Sequence, residues 1–342
     1  MTARSKLEIM RERLRAEDEK KNLGNKPATG DNASFPFWNI PINSTATVRF
    51  LPDGDPDNDC FWLDREVIKL PFDGQVGGDY ATDKPVTVTV PCVDMFTPGS
   101  CPIIAESKPW WKQGPDKEAL ARVYYKKKSY LLQGFVVASD LKEENLPENP
   151  IRRFLVFPSI FKIIKKSIMD SEMENSPDDF VGGRDFKITR TKPGQWSDYT
   201  TSSWSFRTRP LNEVETVAIQ QFGLFNLSQF RGSEPDANGI ALIKQLFHDS
   251  LDGKPFDFTA YGHVYRAYGN GQNSEDADAA AITSVAAANP DVTHPYVPSS
   301  RVYVAEETVA HETADASVVS GAGKPNVQDI LDRVRRKTAT TA

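Results

Sequence analysis

With 342 residues, 39% of them apolar and 26% charged, the chain is long enough to bury a sizeable core. It is too rich in Pro (24) and Gly (21) for a long helical bundle. No apolar run approaches the ~20 residues needed to cross a bilayer, and Met1–Lys6 lacks the apolar stretch of a signal peptide, so a cytosolic protein is expected. The three cysteines, Cys60, Cys92 and Cys101, form an odd set without close spacing, in keeping with a reducing compartment.

Residues 1–21 place Leu7, Met10 and Leu14 at helical spacing among mixed charges, which predicts a short helix with a thin apolar stripe, followed by a linker over 22–36. The core is expected over 37–268. It opens with Ala46–Pro52, an alternating strand, and continues with strands at Phe61–Leu70 and Val86–Val90. Lys117–Arg122 reads as a helix, and Ser129–Ala138 and Arg152–Phe157 as two further strands around the acidic, Pro-containing loop Asp140–Pro150. Pro158–Met169 is an amphipathic helix with a Lys face, and Arg184–Lys192 a basic strand. Glu213–Gln221 and Gly239–Asp249 are helical. Small and acidic residues dominate 269–323, a flexible linker by composition. In 324–342, Val327, Ile330, Leu331 and Val334 recur at helical spacing, as in a docking peptide. The fold class is therefore mainly β with helical insertions, an α+β protein built on a small barrel or sandwich.

No enzyme signature is present: no Gly-rich phosphate loop, no Gly-x-Ser-x-Gly elbow and no His-Glu-x-x-His. Asp53, Asp55, Asp57 and Asp59 imitate part of a calcium loop but lack its central glycine and closing Glu, so they read as a solvated turn. The net charge of −6 hides an uneven distribution, because Arg122–Arg209 holds about sixteen cations to eleven acids. Within that span cations alternate with aromatics. Arg49, Lys126, Lys127, Lys128, Arg152, Arg153, Lys187, Arg190 and Lys192 are candidates to track a phosphate backbone. Tyr124, Tyr125, Tyr130, Phe186, Trp196 and Tyr199 are candidates to stack on bases. The competing reading is a set of ordinary strands with charged outer faces, since alternation does not say which face looks inward.

Val48-Arg49-Phe50-Leu51-Pro52, the turn from Cys92 to Cys101-Pro102, the run Lys126-Lys127-Lys128-Ser129-Tyr130 and Asn149-Pro150-Ile151-Arg152-Arg153-Phe154 stand here in an order that resembles a known family. It is that of the helix-destabilising single-stranded-DNA-binding proteins of T-even-type bacteriophages, most like the branch from phages of marine cyanobacteria. The resemblance covers roughly residues 1–268 plus the terminal peptide. It implies an OB-fold barrel and cooperative, non-sequence-specific binding to single-stranded DNA in replication, recombination and repair. It also implies self-association through a basic N-terminal motif, here Arg4-Ser5-Lys6, and contacts with replication and recombination proteins, here through the C-terminal helix. The better-known members bind zinc through one His and three Cys. Cys92 and Cys101 fit two of these positions, but Ile104 replaces the last Cys and no His precedes His248, so loss of the zinc, and no cofactor, is expected.

Overall fold

The computed structural model describes residues 33–78, 81–143, 146–194, 196–269 and 293–294. The N-terminal helix, most of the C-terminal linker, the terminal helix and the Arg4-Ser5-Lys6 motif lie outside the described residues. In chain order the elements are β1 (Ser44–Leu51), β2 (Trp62–Phe72), β3 (Gln75–Val76), β4 (Val86–Pro91), α1 (Pro102–Ser107), α2 (Pro115–Val123), β5 (Lys127–Ser139) and β6 (Ile151–Val156). There follow α3 (Pro158–Ile168), β7 (Arg184–Arg190), β8 (Ser203–Thr208), α4 (Glu213–Phe222), β9 (Leu224–Phe225), α5 (Ser228–Arg231), α6 (Ala237–Leu251), β10 (Phe256–Asp257), α7 (Phe258–Tyr261), β11 (Ala267–Gly269) and β12 (Thr293–His294).

Eight strands form one antiparallel sheet in the order β11-β4-β2-β5-β1-β7-β8, with β6 paired to β5. β5 is its spine. The first half of one β5 edge pairs with β2 (Trp62↔Leu132) and the second half with β1 (Leu51↔Gln133), while the opposite edge takes β6. Gly134 sits where the partner changes. A Cβ there would run into the Arg49 carbonyl of β1, so this crossing needs a residue without a side chain.

Strand alternation puts apolar residues on both faces, and three clusters fill them. Phe50, Leu132, Phe154, Phe186 and Ile188 pack under α3, whose Ile160, Phe161 and Ile164 point inward. Ile68, Leu70, Val88 and Val90 pack with Cys92, Cys101, Ile103 and the α6 residues Ile243, Leu246 and Phe247. Leu51, Leu131, Ile151 and Leu155 pack on the other face against α4, β9 and α5 through Ile219, Phe225 and Phe230. Local signals agree with these positions: Pro opens α1, α2 and α3, Asn212 and Glu215 form a capping box on α4, and the Asp236 carboxylate caps α6.

The mainly antiparallel α+β architecture agrees with the sequence reading, but the barrel does not close. β8 and β11 lie at opposite ends of the sheet and do not pair with each other. Closure needs two long terminal strands in register, and β11 offers only Ala267–Gly269.

Candidate nucleic-acid interface

Six of the nominated residues belong to the core, and the reading of them as DNA contacts is corrected. Arg49 is 0% exposed. Its Nη2 donates to the Asp179 carbonyl (2.6 Å) and the Arg209 carbonyl (3.1 Å), and Nη1 lies 3.8 Å from Asp185 Oδ1. Burial, then the Arg209 charge, pull its pKa below the ordinary arginine value, against the pull of Asp185. Arg152 forks onto Glu143 at 3.0 and 2.7 Å, and Arg153 lies over the Phe230 ring at 3.8 Å. Tyr124 shares a hydrogen bond with Ser250 Oγ (2.9 Å), Phe186 packs between Phe50 and Trp204, and Tyr199 packs on Phe37. A ring or guanidinium enclosed in this way has no face left for a base or phosphate. Alternation on a sheet covered on both sides drives Arg49, Arg152, Arg153 and Phe186 inward even though they are large or charged, while Tyr124 follows the last turn of α2 and Tyr199 lies in the β7–β8 connection.

The other nine fall into two groups. At the start of β5, Lys126 Nζ donates to Glu66 Oε2 (2.7 Å) and Lys128 Nζ to Asp64 Oδ2 (2.7 Å), while Lys127 is exposed. Burial lowers the pKa of both paired lysines, but the carboxylate bonds outweigh it and hold them above the ordinary range. Tyr130 has Phe161 stacked on one face, centroid to centroid 3.5 Å, and the Lys128 ammonium 5.2 Å from its centroid. Tyr125 is 44% exposed and meets Trp111 edge-on. In the second group, Lys187 and Lys192 are exposed and Trp196 is 66% exposed, while Arg190 donates to the Ile40 carbonyl (2.7 Å) and Ser197 (3.1 Å). Register separates the groups. Lys187 pairs with Thr47, and Thr47 with Ala138, which is about 33 Å along β5 from Lys128.

The structure supplies what lies between. Phe161 of α3 touches both Tyr130 and Trp62 (5.3 Å), and rings continue through Phe61 and Phe50 to Trp204 on β8, each step 5.1 to 6.0 Å. Trp62, Tyr130 and Trp204 are the half-buried rim of this cluster. Phe206, two residues beyond Trp204 and so on the same side of β8, is 99% exposed. Above the cluster, α3 turns Lys162, Lys165 and Lys166 outward. These three are exposed and make no ion pair among the described residues. Neither Phe206 nor these lysines was nominated from sequence. The signal for the lysines was present in their i, i+3, i+4 spacing opposite Ile160, Phe161 and Ile164. Phe206 carried no such signal, since an alternating Trp204/Phe206 pair reads as core.

A cavity of about 330 Å³ lies beside the β5 lysines, lined by Asp64, Glu66, Asp94, Met95, Pro98, Gly99 and Lys126. Its three carboxylates make it unsuited to a phosphate. Cys92 and Cys101 lie together in an apolar cluster with Ile104 packed against it, and no group of three or more His, Cys, Asp or Glu gathers among the described residues.

Comparison with protein-family models and with characterised proteins yields no match to this chain.

Proposed function

We propose that the chain binds single-stranded DNA without reading its sequence and coats transient single strands in phage DNA replication, recombination and repair, in the cytoplasm of the infected bacterium. The observation that carries this reading is the juxtaposition of three uncommitted lysines on α3 with a rim of partly exposed aromatic rings. Cations hold the phosphates while rings stack on bases, the combination that grips a single strand irrespective of sequence. The partner change along one β5 edge supports reading the sheet as an opened OB-type core. Binding only the open strand shifts hairpins toward melting by mass action, so no catalytic step is needed. Cooperative contact between copies is assigned to the N-terminal segment with Arg4, Ser5 and Lys6, and contact with replication and recombination proteins to 324–342. No helix among the described residues is long and apolar enough to cross a membrane.

Fluorescence anisotropy with labelled oligo-dT and the corresponding duplex tests the proposal. Preference for the single strand, falling steeply with salt, is expected. Equal affinity for duplex, or indifference to salt, refutes it. A scaffold role through protein contacts is the second reading, favoured by one feature: β8 ends the sheet and presents Phe206 to solvent. Binding of a protein partner in the absence of any DNA affinity would select it.

A further inference from the structure

Beyond residues 270–292 the chain meets its core again at β12, where Thr293 stands opposite Phe225 and His294 opposite Leu224 in an antiparallel pair with β9. One edge of β9 is already committed. The Phe225 N–H donates to Gln133 Oε1 (2.8 Å), and the Phe225 carbonyl accepts from Gln133 Nε2 (2.7 Å) and the Gly54 N–H (2.9 Å). Successive backbone groups of a strand point to opposite edges, so the Leu224 edge is the one that receives β12. The pairing also fixes where the chain goes next. Being antiparallel, it runs beyond His294 toward Gly223 and the end of α4.

α4 buries Glu215, Ala218 and Ile219 but leaves Val214 and Val217, one turn apart on a single face, 76% and 51% exposed. Branched apolar residues aligned in this way mark a surface that is normally covered. The sequence after β12 suits it. Tyr296 and Tyr303 are the only Tyr, Phe or Trp residues in 270–323, and they stand with Val297, Val302 and Val304 in a stretch that is otherwise small and acidic. From Phe222 back to Val214 is about 12 Å along the helix, a distance an extended chain covers in about four residues. Residues 295–298 are that long, and Pro295 and Pro298 bias His294 and Val297 to extended backbone.

We propose that residues 295–304 of the same chain dock on α4, laying Tyr296 and Val297 over Val217 and Val214 in continuation of the β12–β9 pair. The chain's own segment is the occupant because β12 delivers it to the foot of α4. The long loop is closed there already, so the added contact has only a few residues to order. α4 and β9 pack on the sheet face opposite α3. The docked segment therefore seats the terminal peptide 324–342 away from Lys162, Lys165 and Lys166 and leaves those lysines uncovered.

Hydrogen exchange of the full chain, read by mass spectrometry without DNA, tests this. Amides between Tyr296 and Val304 should exchange at least about 10-fold more slowly than the free-coil rate. Val214→Asp with Val217→Asp should return them to within about 2-fold of it while the α4 amides stay protected. Both valines are exposed, so the core tolerates the change. Tyr296→Ser with Val297→Ser leaves the core untouched and should give the same loss. Free-coil exchange in the parent chain, or protection that survives either double variant, overturns the proposal. Protection that grows with protein concentration overturns it as well, because a second copy would then supply the segment.

Discussion

Replacing Lys162, Lys165 and Lys166 together with Ala tests the interface at its most specific point. All three side chains are exposed and hold no carboxylate, and Ala is at least as good a helix former as Lys, so α3 and its buried Ile160, Phe161 and Ile164 stay in place. The effect is therefore electrostatic. A single strand releases counterions with a slope of about −0.7 in log affinity against log salt for each phosphate neutralised, so three lost contacts flatten the slope by about 2. Between about 50 and 200 mM salt the parent chain should then lose roughly 20-fold more affinity than the variant. Anisotropy titrations with oligo-dT at four or more salt concentrations measure both slopes, and circular dichroism with a melting curve confirms an intact fold. A parallel slope, even with weaker binding, refutes the assignment, because phosphate contacts cannot be lost without losing the counterion release that accompanies them.

Phe206→Ala should lower affinity for oligo-dT by about 5- to 150-fold, the range for one lost stacking platform, without moving the melting temperature. Phe186→Ala, in contrast, should cost about 3–5 kcal/mol of stability in urea; the reverse pattern would mean the exposed and enclosed rings had been confused. Asp64→Asn with Glu66→Gln frees Lys128 and Lys126 and should tighten binding several-fold at low salt; unchanged or weaker binding would refute a part for these lysines. Burial raises the Glu215 carboxyl, but bonds from Arg209 and the Asn212 N–H outweigh it and leave it below the ordinary glutamate range. Its stabilisation is then complete above the unfolded value near 4.5 and disappears as pH falls through the lower folded value. Urea midpoints measured from pH 7 to pH 3 should fall more steeply for the parent chain than for Glu215→Gln; parallel curves would refute this.

The strands and helices with strong periodicity were legible, and their physical reasons are visible in the packing. Pro158–Met169 was expected as an amphipathic helix and forms α3 over Pro158–Ile168, since its apolar residues all meet one cluster. β8 and α1 were not predicted. β8 carries only two apolar residues, Trp204 and Phe206, in a Ser- and Thr-rich stretch too short to show a strong period, and it is held by pairing with β7. α1 is six residues long, too short to show a period. Closure of the barrel was beyond the sequence because it depends on which strands meet at the ends of the sheet. That is a non-local outcome, and no local pattern in Ala267–Gly269 or Ser203–Thr208 encodes it.

The residues nominated for binding are enclosed or left exposed according to what lies opposite them, often far away in sequence. Arg49 finds backbone carbonyls more than a hundred residues downstream, and Lys126 finds a carboxylate sixty residues upstream. A run of cations therefore does not measure the charge available to a ligand. Lys126 and Lys128 must either release Glu66 and Asp64 or bind a phosphate already compensated, whereas Lys162, Lys165 and Lys166 bring their full charge. An exposed ion pair is worth only about 0–1 kcal/mol, so exchange of a carboxylate for a phosphate at Lys128 is inexpensive, and more costly at the half-buried Lys126. If the chain holds a single strand as proposed, the α3 lysines should set the salt slope and the β5 lysines should respond to the strand once it is held. Binding measured against salt in the α3 and the Asp64/Glu66 variants separates these two roles, because only the first group changes the slope by its removal.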